Sequence, residues 1–182
     1  LINATPVGMY PNVEDSPVKG SIAAQVVFDM VYNPATTALL RTAAVTAGII
    51  ASSYFRRDLK TWTKENASPV SEADIILDKF LHSALTTARP QYGWLSEESV
   101  DNPARLSHRR VFVVDPIDGT RGFIRGEDSW TVSLAVVEDG VAIAGVVYAP
   151  VRDEMYDAAI GDGARLNGKP LQRDLEAHLE RP

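Results

Sequence analysis

The chain has no cysteine and only three histidines, His82, His108 and His178, among its 182 residues. Disulfides, thiolate zinc sites and cysteine nucleophiles are thereby excluded, and a histidine-rich metal centre lacks its ligands. A cysteine-free composition suits a reducing cytoplasm, which is the expected location. Long apolar runs are also missing: nothing approaches the roughly 20 residues that a membrane-spanning helix needs, so no membrane partner is expected. Basic excess is absent too, with 18 Lys and Arg against 24 Asp and Glu and a net charge of -6. That balance argues against a nucleic-acid polymer as partner, because such binding rests on Lys and Arg neutralising phosphates. The chain opens on Leu1 with neither Met nor a signal pattern, and is expected to be a piece of something longer. What remains is an ordinary globular composition, 45% hydrophobic, long enough for one domain and a small appendage.

Two short apolar segments, Leu1 to Ala4 and Val26 to Tyr32, flank a stretch rich in Pro, Gly, Asn and acids, a pattern of strand, long loop and strand. From Thr36 to about Leu59 the periodicity turns helical, with Leu40, Ala43, Ala44, Ala47, Ile50, Ala51, Tyr54 and Phe55 at three- and four-residue steps. Gly48 inside this helix costs up to about 1 kcal/mol relative to Ala, which points to close packing there. A loop from Lys60 to Val70 precedes a second helix, from about Glu72 to Ala88, opened by Ser71-Glu72-Ala73-Asp74 as a capping box and stopped by Pro90. Gly93 to Leu95 reads as a short strand, and Val100 to Arg110 as a polar loop. Strands follow at 111–114, 130–138 and 141–148, the last two joined by an Asp139-Gly140 turn. Turns at Gly161-Asp162-Gly163 and Asn167-Gly168 extend an antiparallel meander, and Gln172 to Pro182 is a charged, exposed or helical tail. Two helices packed on a largely antiparallel sheet make an α+β fold.

One hexapeptide carries chemistry. Asp115-Pro116-Ile117-Asp118-Gly119-Thr120 follows the buried run Val111 to Val114 and sets two carboxylates and a hydroxyl where a strand breaks into a turn. Pro116 cannot extend a sheet ladder and Gly119 permits a sharp bend, so Asp115 and Asp118 can converge on a hard divalent cation such as magnesium. Taken alone, the same dipeptides serve equally as turn punctuation. Other residues have ordinary readings as well. Asp74 caps its helix, Glu97 and Glu98 are a solvated pair, Lys64 is a loop lysine in water, and Arg121 and Arg125 either balance charge or shape substrate preference. Gly161-x-Gly163 reads as a hairpin turn, since Leu166 occupies the third glycine position of a dinucleotide loop.

Several signals occur in a fixed order from about Ala43 to Leu171. They are the Ala-Gly helix, Lys64, Ser68 to Asp74, Ser96-Glu97-Glu98-Ser99, the Asp115 to Thr120 turn, and Gly161 to Gly168. In this order they resemble the inositol monophosphatase family, which also contains bisphosphate nucleotidases, bacterial fructose-1,6-bisphosphatases and some histidinol phosphatases. The resemblance implies the N-terminal half of the sugar-phosphatase fold and Mg2+ as cofactor. It also implies that Glu97, Asp115 and the Ile117 carbonyl hold one ion, with Asp115 bridging to a second ion bound by Asp118. Thr120 and Glu97 would orient the attacking water, with Asp74 beside the Thr120 hydroxyl, and Gly119 and Thr120 would offer backbone amides to the phosphate. A helix starting near Thr120 would add its positive dipole end. The substrate implied is a small phosphorylated molecule, an inositol, sugar or nucleotide phosphate.

The resemblance breaks in two places. A Trp-Asp motif, which the family places downstream to supply a further metal ligand, does not occur, and impaired catalysis by this chain is expected. Ahead of it, Asn3-Ala4-Thr5-Pro6-Val7-Gly8-Met9 and Val27 to Pro34 resemble the late part of the shikimate dehydrogenase cofactor domain, with Tyr32 near the substrate side, but without that family's glycine loop or catalytic residues. The expectation is a chimera: a dehydrogenase-like βloopβ arm over 1–37 and a phosphatase-like half-domain over 38–182, with exposed sheet edges as a route to homo-oligomers. Two alternatives stay open, a recombined or designed fold keeping a remnant metal site without catalysis, and a shikimate dehydrogenase fragment.

Overall fold

The computed structural model describes residues 2–3, 28–29, 35–64 and 68–171. Strands β1 (Ile2–Asn3) and β2 (Phe28–Asp29) pair in parallel as a separate two-stranded sheet. The Thr5 to Met9 turn, Tyr32 and the tail from Gln172 lie outside the described residues. Helix α1, Ala35–Tyr54, buries Leu40, Ala43, Ala44, Ala47 and Ala51, the small-residue stripe that its spacing predicts. It stops short of Leu59 because Arg56 takes a left-handed backbone, φ 58°, which no right-handed helix can continue through.

The stretch read as a loop from Lys60 to Val70 contains a short antiparallel hairpin, β3 (Thr61–Thr63) with β4 (Pro69–Ser71). β-Branched Thr on both sides of Trp62 favours the extended form, and Lys60 accepts from Glu72 N–H at 2.9 Å to close its base. This hairpin delivers Ser71 directly to helix α2, Glu72–Ala88, on which Leu77, Leu81 and Leu85 are fully buried.

Seven strands form the main sheet in the order β11-β10-β9-β8-β7-β6-β5. They are β5 (Gly93–Ser96), β6 (Arg110–Asp118), β7 (Thr131–Glu138), β8 (Val141–Ala149), β9 (Glu154–Ala159), β10 (Gly163–Leu166) and β11 (Lys169–Pro170). All neighbours are antiparallel except β5 and β6. Gly161-x-Gly163 is the β9–β10 hairpin, as its composition suggests. Phe112 and Val114, Val132, Leu134 and Val136, and Ala144 and Val146 alternate onto the face covered by α1 and α2. A 3-10 turn, Pro103–Ser107, sits within the expected polar loop and packs on β5 at Gly93. A third helix, α3, spans Thr120–Arg125; its Phe123 joins Phe55 and Trp130 in an aromatic cluster with centroids 4.9–5.5 Å apart. Among the described residues no helix is long and apolar enough to cross a membrane.

Gly48 explains its own helix penalty. A Cβ there would lie 2.6 Å from the Tyr148 ring and 2.8 Å from Pro150, so only hydrogen lets α1 settle on β8. Pro150 has no rotamer to escape into. Gly48→Val is therefore expected to destabilise by about 1–3 kcal/mol through overpacking. Urea denaturation checks this, and an unchanged midpoint would show that helix and strand are not in contact there.

Candidate active site

The parallel register pairs Ser96 with Val114, so the next residues, Glu97 and Asp115, lie side by side at one end of the β5–β6 pairing. Glu97 N–H donates to the Val114 carbonyl at 3.1 Å and fixes that adjacency. Strand β6 does not end at Asp115 as its sequence suggests. It slips against β7 between Asp115 and Asp118, then pairs again at Asp118 with Thr131. Pro116 has no N–H for the ladder, and the slip is a bulge of the kind that re-aims side chains at sites. The Ile117 side chain enters the core, 1% exposed, while its carbonyl faces the turn and stands 3.0 Å from Thr120 Oγ1. Gly119 adopts φ 95°, and a Cβ there would meet the Ser129 carbonyl at 2.5 Å, so the position admits glycine alone.

Asp74 divides its two oxygens between two tasks. Oδ2 accepts from Ser71 N–H at 2.8 Å and from the Ser71 hydroxyl at 2.6 Å, closing the start of α2. Oδ1 stands 3.0 Å from Thr120 Oγ1, its donor on another loop. Asp74 caps its helix and also meets the Thr120 hydroxyl, and both bonds fall on a fully buried carboxylate. Burial pushes its pKa up, while the hydrogen bonds from Ser71 and Thr120 pull against that rise.

Lys64 corrects the picture of a solvated loop lysine. Its Nζ donates to Glu98 Oε1 at 2.8 Å and Glu97 Oε1 at 3.3 Å, and its side chain is 24% exposed. Glu97 and Glu98 are not a solvated pair either: the Glu98 side chain is 2% exposed and that of Glu97 is 49% exposed. Adjacent residues at a strand end point opposite ways, and no composition signal says which of two acids turns inward. Burial raises the Glu98 pKa against the pull of Lys64. Burial lowers that of Lys64, but the Glu98 and Glu97 carboxylates more than reverse it. Arg125 is held by Glu127 at 2.8 and 3.0 Å, a local charge balance.

Asp115 bears the strain of this arrangement. Burial first, then the charge and close approach of Glu97, then Asp118 and Glu98, push its pKa up to about 8. Its Oδ1 is buried without a hydrogen-bond partner. Among the described residues no three His, Asp or Glu side chains form a ready cation cage. Magnesium does not require one, since it binds through one or two carboxylates with waters and phosphate completing the shell. Hard oxygen donors, a partnerless buried carboxylate oxygen and an excess of like charge fit such an ion. Asp118 is exposed at the outer end of the turn, and α3, at six residues, offers the free amides of its first turn more than a long helix dipole.

Known proteins place the chain. It is 35% identical to a histidinol-phosphatase of Chlorobaculum parvum over 127 residues, covering 69% of this chain and 48% of the relative. It is 44% identical to the 3'(2'),5'-bisphosphate nucleotidase CysQ of Salmonella typhimurium over 101 residues, 54% of this chain and 40% of that protein. The structure of the extragenic suppressor protein suhB from Bartonella henselae superposes with a TM-score of 0.73 at 33% identity, covering 78% of this chain and 55% of that one. The chain thus spans about half the length of the curated relatives it matches. With a family match running over residues 32–180, and with the α+β fold in common, the chain belongs to the inositol monophosphatase family.

Proposed function

We propose that the acidic turn and its neighbours form the centre of a magnesium-dependent phosphomonoesterase acting on a small inositol, sugar or nucleotide phosphate. The observation that carries this reading is Asp115 Oδ1, buried and partnerless among Glu97, Glu98 and Asp118, beside the Thr120–Asp74 hydrogen bond. Glu97, Asp115 and the Ile117 carbonyl would hold one cation, and Asp115 with Asp118 a second. Bound there, divalent ions neutralise the phosphate, acidify water and stabilise the leaving alkoxide.

The chain's own groups do the positioning. By donating to Asp74, the Thr120 hydroxyl leaves its lone pairs free to accept a hydrogen bond from the attacking water. Glu97 accepts a second from the water's other O–H and orients it for in-line attack on phosphorus. The amides of Gly119 and Thr120 donate to the phosphate oxygens, and Lys64 holds the two glutamates fixed in direction. The names of the two relatives, a phosphatase and a nucleotidase, support the substrate class. Residues 1–37 keep the reading of a segment similar to part of the shikimate dehydrogenase cofactor domain, the family match beginning at residue 32.

Calorimetric titration with Mn2+, paired with hydrolysis of a generic phosphomonoester, tests the proposal. Binding with weak Mg2+-dependent turnover is expected, in keeping with the missing Trp-Asp motif; binding without turnover favours the remnant-site alternative, and no binding sinks the reading. Asp115→Asn is expected to weaken metal binding at least tenfold. Thr120→Ala is expected to cut kcat/KM about 10²-fold or more, and Thr120→Ser to retain most of it.

The metal-free chain should also respond to pH. Because Asp115 is raised from the ordinary carboxylate value to about 8, the folded state keeps a proton that the unfolded state loses. Stability therefore falls as pH rises from about 4 to about 8. Thermal melts across that window are expected to show the decline, flattened by Asp115→Asn or by added Mg2+. A flat wild-type profile would mean that the carboxylates are not crowded.

A further inference from the structure

We infer that Asp78 is a positioning residue for the glutamate arm of this centre, and that α2 is a bracket holding both arms at a set separation. The inference rests on the reading of Glu97 as a metal ligand. Asp74 and Asp78 are four residues apart, so they share one face of α2 a single turn apart. Both are buried, at 0% and 8% exposure, and each accepts a hydroxyl from a different loop. Asp74 takes Thr120, on the turn after β6. Asp78 takes Ser96, at the end of β5, through a short hydrogen bond from Ser96 Oγ to its Oδ1.

Ser96 passes the constraint on. Its Oγ accepts from Glu98 N–H at 3.3 Å, and that turn sends Glu98 inward to Lys64 and Glu97 toward Asp115. With its proton committed to Asp78, the Ser96 hydroxyl presents a lone pair to the Glu98 amide in one fixed orientation. Without Asp78 it would rotate freely, and the peptide carrying Glu97 would lose its anchor on the helix side. A second carboxylate buried on α2 is costly unless it is hydrogen-bonded, and here its partner among the described residues is a residue next to the site. Supporting groups of this kind typically change metal affinity by 10–100-fold when removed.

The test compares Asp78→Ala, Asp78→Asn, Ser96→Ala, the Asp78→Ala/Ser96→Ala double variant and Leu85→Ala, the last a core change on the same helix remote from the site. Mn2+ affinity, melting temperature and hydrogen exchange at the Glu98 amide are measured for each. Expected are a loss of Mn2+ affinity of about tenfold in Asp78→Ala and in Ser96→Ala, no further loss in the double variant, and faster Glu98 exchange in all three. Asp78→Asn keeps an oxygen that accepts from Ser96 and should restore most of both readouts. Leu85→Ala should lower the melting temperature without moving either one. Unchanged affinity and exchange in Ser96→Ala, or equal losses in Leu85→Ala, would overturn the inference. Should the wild-type chain bind no Mn2+, the metal reading fails, while Glu98 exchange in Ser96→Ala and Asp78→Asn still decides whether Asp78 orders the turn.

Discussion

Asp74 ties the structure together. A carboxylate with no exposure to water pays a large desolvation penalty unless every lone pair direction is used. Here one oxygen takes both donors of Ser71 and the other takes the hydroxyl of Thr120, forty-six residues further along the chain. The first pair closes the start of α2 against the β3–β4 hairpin. The second draws that helix start onto the turn after β6. Helix, hairpin and turn are therefore set relative to one another by a single side chain, and the Thr120 hydroxyl cannot be displaced without uncovering a buried acceptor.

The site inherits its charge problem from sheet topology. Parallel pairing of β5 with β6 brings two strand ends out at one edge, and both continue into acids. An antiparallel neighbour would have sent Glu97 to the opposite end of the sheet. Lys64 answers part of the resulting repulsion by binding both glutamates. Asp115 is left facing like charges on a half-buried oxygen pair. That residual repulsion is the feature of the molecule that a divalent cation would relieve most directly.

Much of this was legible in the residues. The bounds of α2 follow from Ser71 and Pro90, and the β7–β8 hairpin from Asp139-Gly140. The order of the acidic motifs, more than any one of them, singled out the family. What could not be read was register and direction. Nothing in Gly93-Trp94-Leu95-Ser96 says that this strand runs parallel to β6, so the adjacency of Glu97 and Asp115 has no local signature. Nor does spacing reveal that Glu98 turns inward to meet Lys64, or that the strand resumes past Pro116 after a bulge. A Thr-Trp-Thr strand of three residues is too short for any periodicity to register. For Asp74 only the family resemblance pointed to the Thr120 hydroxyl, because its capping signature is complete in itself and conceals a second bond to a distant loop.

Stability and chemistry pull in opposite directions at different residues of this site. Asp74 serves both: the bonds that orient Thr120 also cap a helix, so its loss would weaken fold and site together. Asp115 serves only one. Its carboxylate is held against burial and repulsion by the packing around it, and a neutral amide of the same shape would fit the metal-free fold more comfortably. Strain tolerated at one position and compensated by core contacts elsewhere is what a site selected for binding rather than for stability produces. The packing that tolerates it lies close by, in Ile117 anchored in the core on one side of the turn and Phe123 packed edge to face with Trp130 on the other. These apolar contacts hold the turn shut while its carboxylates repel, so the rigidity of the aromatic cluster is part of the electrostatics of the centre.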